Sequence, residues 1–226
     1  MSHLINNELI WISNPRCASN SIETALRNSK LKLETYDPND MLSHYHVPLN
    51  HCLETWGKKE SICITRDWLS KWLSSLNYIW DTIEFYSNHT PICKWEDIDN
   101  EFIYKTFNTD FLNHLHLIDQ HGYGYKTCFL KLIKEKDEPL KSNSDGMSTL
   151  ISERYYKSNK NCTYEFGIKE IDKFVNFIED RFGEKLIVEN KNVSPKRTNK
   201  IIINDELKSF IWENFEKRFE KTNQLI

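Results

Sequence analysis

Short apolar runs alternate along this chain with longer stretches whose apolar residues recur at helical spacing. Glu8–Ile12 (ELIWI) is short, apolar and followed by polar residues, which predicts a strand. A polar loop, Ser13–Asn20, comes next. From Ser21 the spacing of Ile22, Ala25 and Leu26 predicts a helix, with Glu23 in its first turn. Residues Tyr36–Asn50 carry Pro38, Asn39, Asp40 and Pro48 and are expected to be irregular. Ser61–Thr65 (SICIT) reads as a second buried strand. Over Trp68–Tyr86, residues Leu69, Trp72, Leu73, Leu76, Ile79, Trp80 and Ile83 form one helical stripe. Asn100–Leu117 is also expected to be helical, and Lys126–Ile133 fits strand and helix equally. Lys136–Lys160 is polar and turn-rich and reads as a mobile loop. Ile168–Phe182 predicts an amphipathic helix stopped by Gly183. Leu186–Val188 is expected as a short strand. Asn204–Phe219 reads as a last helix that starts at an Asn204 cap. Strands alternating with helices predict an α/β fold with a mainly parallel sheet, in one domain over residues 1–226.

Composition narrows the partners. Aromatics at 13% and charged residues at 28% belong to a folded chain of 226 residues. The net charge of −3 gives no basic field for nucleic acid, so an anion site has to be local. The six cysteines are scattered, with no C-x-x-C pair, and no secretory signal is seen at Met1–Leu4. Reduced thiols and a cytoplasmic setting are therefore expected. The N-x-[ST] triplets at Asn88, Asn161 and Asn192 then carry no glycans. No apolar run approaches the ~18–20 residues of a membrane span.

Ser13–Asn20, a polar loop between a strand and a helix, is suited to an anion. Backbone N–H groups at the helix start point at the ligand, and the helix dipole favours negative charge. Arg16 supplies a forked, permanent cation. Ser19 and Ser21 supply hydroxyl donors. The ATPase pattern G-x-x-x-x-G-K-[ST] is absent, which argues against an ordinary ATPase.

The segment Trp11-Ile12-Ser13-Asn14-Pro15-Arg16-Cys17-Ala18-Ser19-Asn20-Ser21-Ile22 resembles the 5′-phosphosulfate loop of sulfotransferases. These enzymes use 3′-phosphoadenosine 5′-phosphosulfate (PAPS). Their usual loop, P-K-T-A-G-T-S or P-R-S-G-T-T, matches at Pro15, Arg16, Ala18 and Ser21. It departs at Ser19 and Asn20, where glycine and threonine are usual. A second segment, Arg66-Asp67-Trp68-Leu69-Ser70-Lys71-Trp72-Leu73-Ser74, resembles the 3′-phosphate motif R-x-P-x-x-R-x-x-S. Arg66, Lys71 and Ser74 fall in register, and Trp68 replaces proline. A third, Asn190–Arg197, resembles an N-x-S-x-[KR] segment ahead of the family's last helix, with Lys196 and Arg197 facing the 3′-phosphate. The central portion, Ser87–Cys162, matches nothing specific. The resemblance implies a P-loop-like three-layer fold, and Asn14, Pro15, Arg16, Cys17, Ala18, Ser19, Asn20, Ser21 and Ile22 as the cofactor loop. It also implies PAPS as co-substrate, with no metal.

In-line sulfuryl transfer needs a base on the acceptor hydroxyl and cations on the leaving side. Arg16 suits the cation role. His44-Tyr45-His46 precedes the second strand, where carbohydrate-sulfotransferase branches place a histidine. His46 is the expected base by spacing, His44 the runner-up, and Glu23 a further possibility. The histidine placement makes a glycan the first expected acceptor; a tyrosyl peptide, lipid or small alcohol follows. Two other readings stay open: an ATP-using P-loop kinase, and a non-catalytic nucleotide- or glycan-binding protein on a degenerate sulfotransferase fold. His44, His46, His51 and Cys52, and separately His114, His116 and His121, give no clean four-ligand set for zinc. Trp72, Trp80 and Phe85 at helical spacing read as core.

Overall fold

The strand expected around Glu8–Ile12 forms as β2 (Leu9–Ile12) in a computed structural model that describes residues 2–14, 17–36, 49–81, 83–84, 90–107, 132, 162–189 and 198–216. Its neighbours are β1 (His3–Ile5) and β4 (Glu60–Thr65). With β3 (Leu33–Thr35) and β5 (Tyr164–Gly167) they form a five-stranded sheet in the order β3-β1-β2-β4-β5. β1 pairs antiparallel with β2 and with β3. β2–β4 and β4–β5 are parallel. The fold is α/β and the described sheet is mixed, with its parallel character confined to the β2–β4–β5 half.

A tight turn joins β1 to β2. Asn6 and Asn7 take φ of 49° and 59°, and the Glu8 N–H donates to the Ile5 carbonyl at 2.9 Å. Two left-handed central residues make the hairpin turn whose twist matches the strands, and asparagine tolerates that region.

The chain divides into two compact units, residues 1–67 with 152–193 and residues 68–151 with 194–226. The first holds the sheet in three layers. Ile5, Leu9, Trp11, Ile62 and Ile64 face one side. There they pack on Ile22, Ala25 and Leu26 of α1 (Ser19–Arg27) and on Phe174 and Ile178 of α5 (Ile171–Phe182). Leu4, Ile10, Ile12 and Cys63 face the other side, under Leu49 and Cys52 of α2 (Leu49–Trp56). A strand with both faces covered reads as a continuous apolar run, which is why LIWI and SICI do not alternate with polar residues. Trp11 and Phe174 meet with ring centroids 5.3 Å apart. Gly183 ends α5 at φ 67°, with its N–H on the Glu179 carbonyl at 2.7 Å, a left-handed stop that glycine adopts without strain.

The described part of the second unit is mainly helical. On α3 (Trp68–Asp81), Trp72, Leu76 and Trp80 form one buried stripe. They pack with Trp95, Ile98, Ile103, Phe107, Leu207 and Ile211, so Trp72 and Trp80 are core residues as expected. Asp99 caps α4 (Asn100–Thr106) by accepting from the Phe102 N–H at 2.8 Å. Asn204 caps α6 (Asp205–Ile211) in the same way through the Leu207 N–H, at 2.8 Å. The Asn100 amide accepts from the Ile202 N–H and donates to its carbonyl, each at 2.8 Å, and holds that extended segment.

Four expectations change. α1 starts at Ser19, two residues before Ser21. Leu49 and Asn50, expected to be irregular, open α2. Ile168–Glu170 is a 3-10 turn ahead of α5. Leu186–Val188 forms no strand: Leu186 is buried in the core beside α1 and α5, while Ile187 stands 78% exposed with no strand partner. The loop expected at Lys136–Lys160 lies outside the described residues.

The Trp11–Phe174 contact predicts a large truncation cost. Phe174→Ala should destabilise the fold by about 3–5 kcal/mol in urea unfolding. Exposed Ile187→Ala should stay within about 0.5 kcal/mol.

Candidate anion-binding site

At the carboxyl end of β2, the chain buries polar side chains where it has no apolar reason to. Ser13 and Asn14 are 2% exposed, Ser21 5% and Ser19 9%. The Asn14 Nδ2 donates to the Ile64 carbonyl at 2.8 Å, tying the loop to the neighbouring strand. The Cys17 N–H donates back to the Asn14 carbonyl at 3.4 Å. Cys17 itself is buried against the core.

Ala18 then takes φ 57° and ψ 20°. A left-handed conformation costs an L-residue roughly 1–2 kcal/mol, and alanine has no side-chain amide to offset it. Ser19 opens α1 immediately afterwards, and no side chain caps that start. The first helical bond runs from the Ile22 N–H to the Ala18 carbonyl, at 3.0 Å. Backbone that alternates left- and right-handed residues forms a concavity of N–H groups, and a helix start adds the positive end of its dipole. Strain of this kind persists where the surroundings over-determine it, and it clusters at ligand sites.

Topology puts a second group alongside. Ile12 pairs with Cys63, so β2 and β4 end side by side, and Arg66 directly follows β4. From β2 the chain runs through α1 to β3, beyond β1; from β4 it eventually reaches β5 on the opposite side. Such a divergence opens a crevice at the carboxyl ends of parallel strands, the usual ligand position in open α/β sheets. The Thr65 hydroxyl donates to the Phe166 carbonyl at 3.3 Å and joins the ends of β4 and β5. Arg66 is half-buried.

Of the residues expected to bind the cofactor, Asn14, Cys17, Ala18, Ser19, Asn20, Ser21 and Ile22 therefore fall on one strand-to-helix connection, and Arg66 ends the adjacent strand. Asn20 is exposed and Ile22 is core. Lys71 and Ser74 lie on α3, in the second unit, and both are half-buried. Pro15, Arg16, His44, His46, Lys196 and Arg197 lie outside the described residues. His51 lies on α2 with its Nδ1 3.4 Å from Glu54 Oε2.

Glu23, the further candidate base, is already engaged. Its Oε1 accepts from Arg27 Nε at 3.0 Å and faces the buried His3 Nε2 at 3.7 Å. The other ring nitrogen, His3 Nδ1, meets Thr35 Oγ1 at 3.1 Å. Burial alone would raise the Glu23 pKa; contacts that favour the carboxylate, His3 first among them and Arg27 last, outweigh it and hold the carboxyl well below the usual range. So acidic a carboxyl is a weak proton acceptor near neutral pH. This His3–Glu23 pair was not foreseen, since it joins β1 to α1 across residues with no common motif.

Among the described residues, no three His, Cys, Asp or Glu side chains are grouped to hold a metal ion, and no helix is long and apolar enough to cross a membrane. The sequence matches no protein-family model, and no curated protein matches it significantly.

Two outcomes are expected. Ala18→Gly should raise stability by about 1 kcal/mol in urea unfolding, because glycine takes the left-handed region freely. For Glu23, the unfolded carboxyl binds its proton at higher pH than the folded one. Its stabilisation is therefore complete at neutral pH and decays as pH falls below about 4.3. Glu23→Gln should flatten the acid limb of a stability–pH profile; an unchanged limb would mean the contacts do not hold the carboxylate in solution.

Proposed function

We propose that this protein is a sulfotransferase that moves a sulfuryl group from PAPS to a hydroxyl acceptor, with a glycan as the first acceptor to test. The supporting observation is the strained, uncapped helix start at Ala18–Ser19, set among buried hydroxyls and beside the strand that delivers Arg66. In this reading the three-layer unit is P-loop-like, and its β2–β4–β5 half is the working part of the sheet.

The roles follow from the motif resemblance. Asn14 fixes the loop, and the N–H groups from Ala18 onward receive the 5′-phosphosulfate. Ser19 and Ser21 add hydroxyl donors. Arg16 stays charged and stabilises the leaving phosphate oxygen. Arg66 and Ser74, helped by Lys196 and Arg197, read the 3′-phosphate, with Lys71 as an added cation. His46, with His44 as the alternative, takes the proton of the acceptor hydroxyl. That oxygen bonds to sulfur as the bond from sulfur to the 5′-phosphate oxygen breaks, which releases 3′-phosphoadenosine 5′-phosphate. An ATP-using kinase would instead need magnesium to bridge its phosphates.

Calorimetric titration with 3′-phosphoadenosine 5′-phosphate tests the reading, with AMP and ATP as comparators. Micromolar binding that collapses for AMP is expected. Arg66→Ala and Ser74→Ala should each weaken it about ten-fold or more, since a charged hydrogen bond contributes ~1.5–3 kcal/mol. Equal binding of AMP, or normal binding by both variants, would overturn the assignment.

A further inference from the structure

β1 runs antiparallel to β2, with His3 opposite Trp11, so the start of β1 lies beside the carboxyl end of β2. Continued by one residue, that register sets Ser2 opposite Ile12 and next to Ser13. The Tyr36 N–H donates to the Ser2 carbonyl at 3.2 Å and continues the β1–β3 pairing past Thr35. The backbone of Ser2 is thus fixed by β3, whatever its side chain does.

Ser2 is fully buried. Side chains alternate along a strand, so Ser2 shares the face of Leu4, the one that also carries Ile10 and Ile12 under α2. A hydroxyl in such a layer is unfavourable unless it is hydrogen-bonded. The Ser2 Oγ accepts from the Ser13 N–H at 3.4 Å. Ser13 is the first residue after β2 and is itself buried. The next residue, Asn14, donates to the Ile64 carbonyl of β4. The root of the loop is therefore held from both flanks, by Ser2 on the β1 side and by Ile64 on the β4 side. Ser61, a buried serine on β4, serves a different purpose. It exchanges hydrogen bonds with Thr163 at the amino end of the parallel strands, away from the loop.

We propose that Ser2 is a positioning residue for the anion loop: through Ser13, its hydroxyl sets the affinity for the 5′ group of the nucleotide. This rests on the sulfotransferase reading, in which the loop receives the 5′-phosphosulfate. Ser2 acts on the ligand only through Ser13 and Asn14, on backbone that leads to Ala18. Its effect is therefore confined to the 5′ end, whereas Arg66 reads the 3′-phosphate.

Ser2→Ala removes the hydroxyl and keeps the backbone bond to Tyr36; Ser2→Thr keeps both. The full-length variants are titrated with 3′-phosphoadenosine 5′-phosphate and with adenosine 3′-monophosphate, which lacks the 5′ group. Ser2→Ala should weaken the first several-fold and leave the second unchanged, and Ser2→Thr should restore the first. Ile178→Val, a core change on α5, is the control. It should lower the melting temperature and leave both affinities unchanged. Should Ser2→Ala not fold, Ser2→Cys keeps the size with a weaker acceptor and carries the same comparison. Unchanged binding of the bisphosphate, an equal loss for both nucleotides, a loss shared in full by Ser2→Thr, or the same loss in Ile178→Val overturns the proposal. If the wild-type chain binds neither nucleotide, the sulfotransferase reading fails, and inorganic pyrophosphate then probes the loop alone. Weaker pyrophosphate binding by Ser2→Ala than by the wild type supports the positioning role; equal binding, or none by either, overturns it.

Discussion

The parallel pairing of β2 with β4 is the constraint on which the sheet and its carboxyl end depend. β2 is buried on both faces, with Leu9 and Trp11 on one and Ile10 and Ile12 on the other. A slip of one residue would exchange those two sets and place Trp11 under α2 in place of Phe174. The register is therefore fixed by packing, and it puts the Asn14 amide within reach of the Ile64 carbonyl. The net contribution of such a bond is only about 1 kcal/mol. Its greater effect is positional: it sets where the loop leaves the sheet and how α1 begins.

From that point strain and support balance. The core under α1 fixes Ile22, Ala25 and Leu26, and Cys17 is buried in the same core just before the turn. With both ends held, Ala18 is left as the residue that absorbs the change of direction, and it does so left-handed. The sulfotransferase pattern places glycine at the next position, Ser19, where this chain is helical and already buried. In the proposed reading, the left-handed residue stands one position ahead of the glycine of the sulfotransferase pattern.

Much of this architecture could be read from residue order. β2, β4, α3 and α5 follow from long or strongly apolar patterns, and Gly183 stops α5 where expected. β1 and β3 are three residues each, too short for periodicity to register, and they exist because the Asn6–Asn7 turn and β2 give them a partner. β5 was hidden because its YEFG run merges with the helix pattern that follows. Leu186–Val188 looked like a strand because apolar residues alone do not reveal whether a neighbouring strand exists. At the candidate site, residue type revealed the polar loop and Arg66. The handedness of Ala18, the Asn14 tie and the His3–Glu23 pair arise from packing between distant segments and leave no local signature.

The His3–Glu23 pair also narrows the chemistry. Glu23 sits one turn into α1, near enough in sequence to the loop to be read as a base. A general base works best with its pKa near the operating pH, and this carboxyl is held well below it by its contacts, His3 first among them. The same contacts make it a useful brace. His3 is on the central strand's antiparallel neighbour and is anchored on its other side by Thr35 of β3. Through His3 and Glu23, therefore, α1 is held against two strands beyond β2, in addition to its apolar face. That brace steadies a helix whose start carries the strain of Ala18. Proton transfer in the proposed reaction then falls to His46 or His44, and Glu23 belongs to the scaffold that aims the helix.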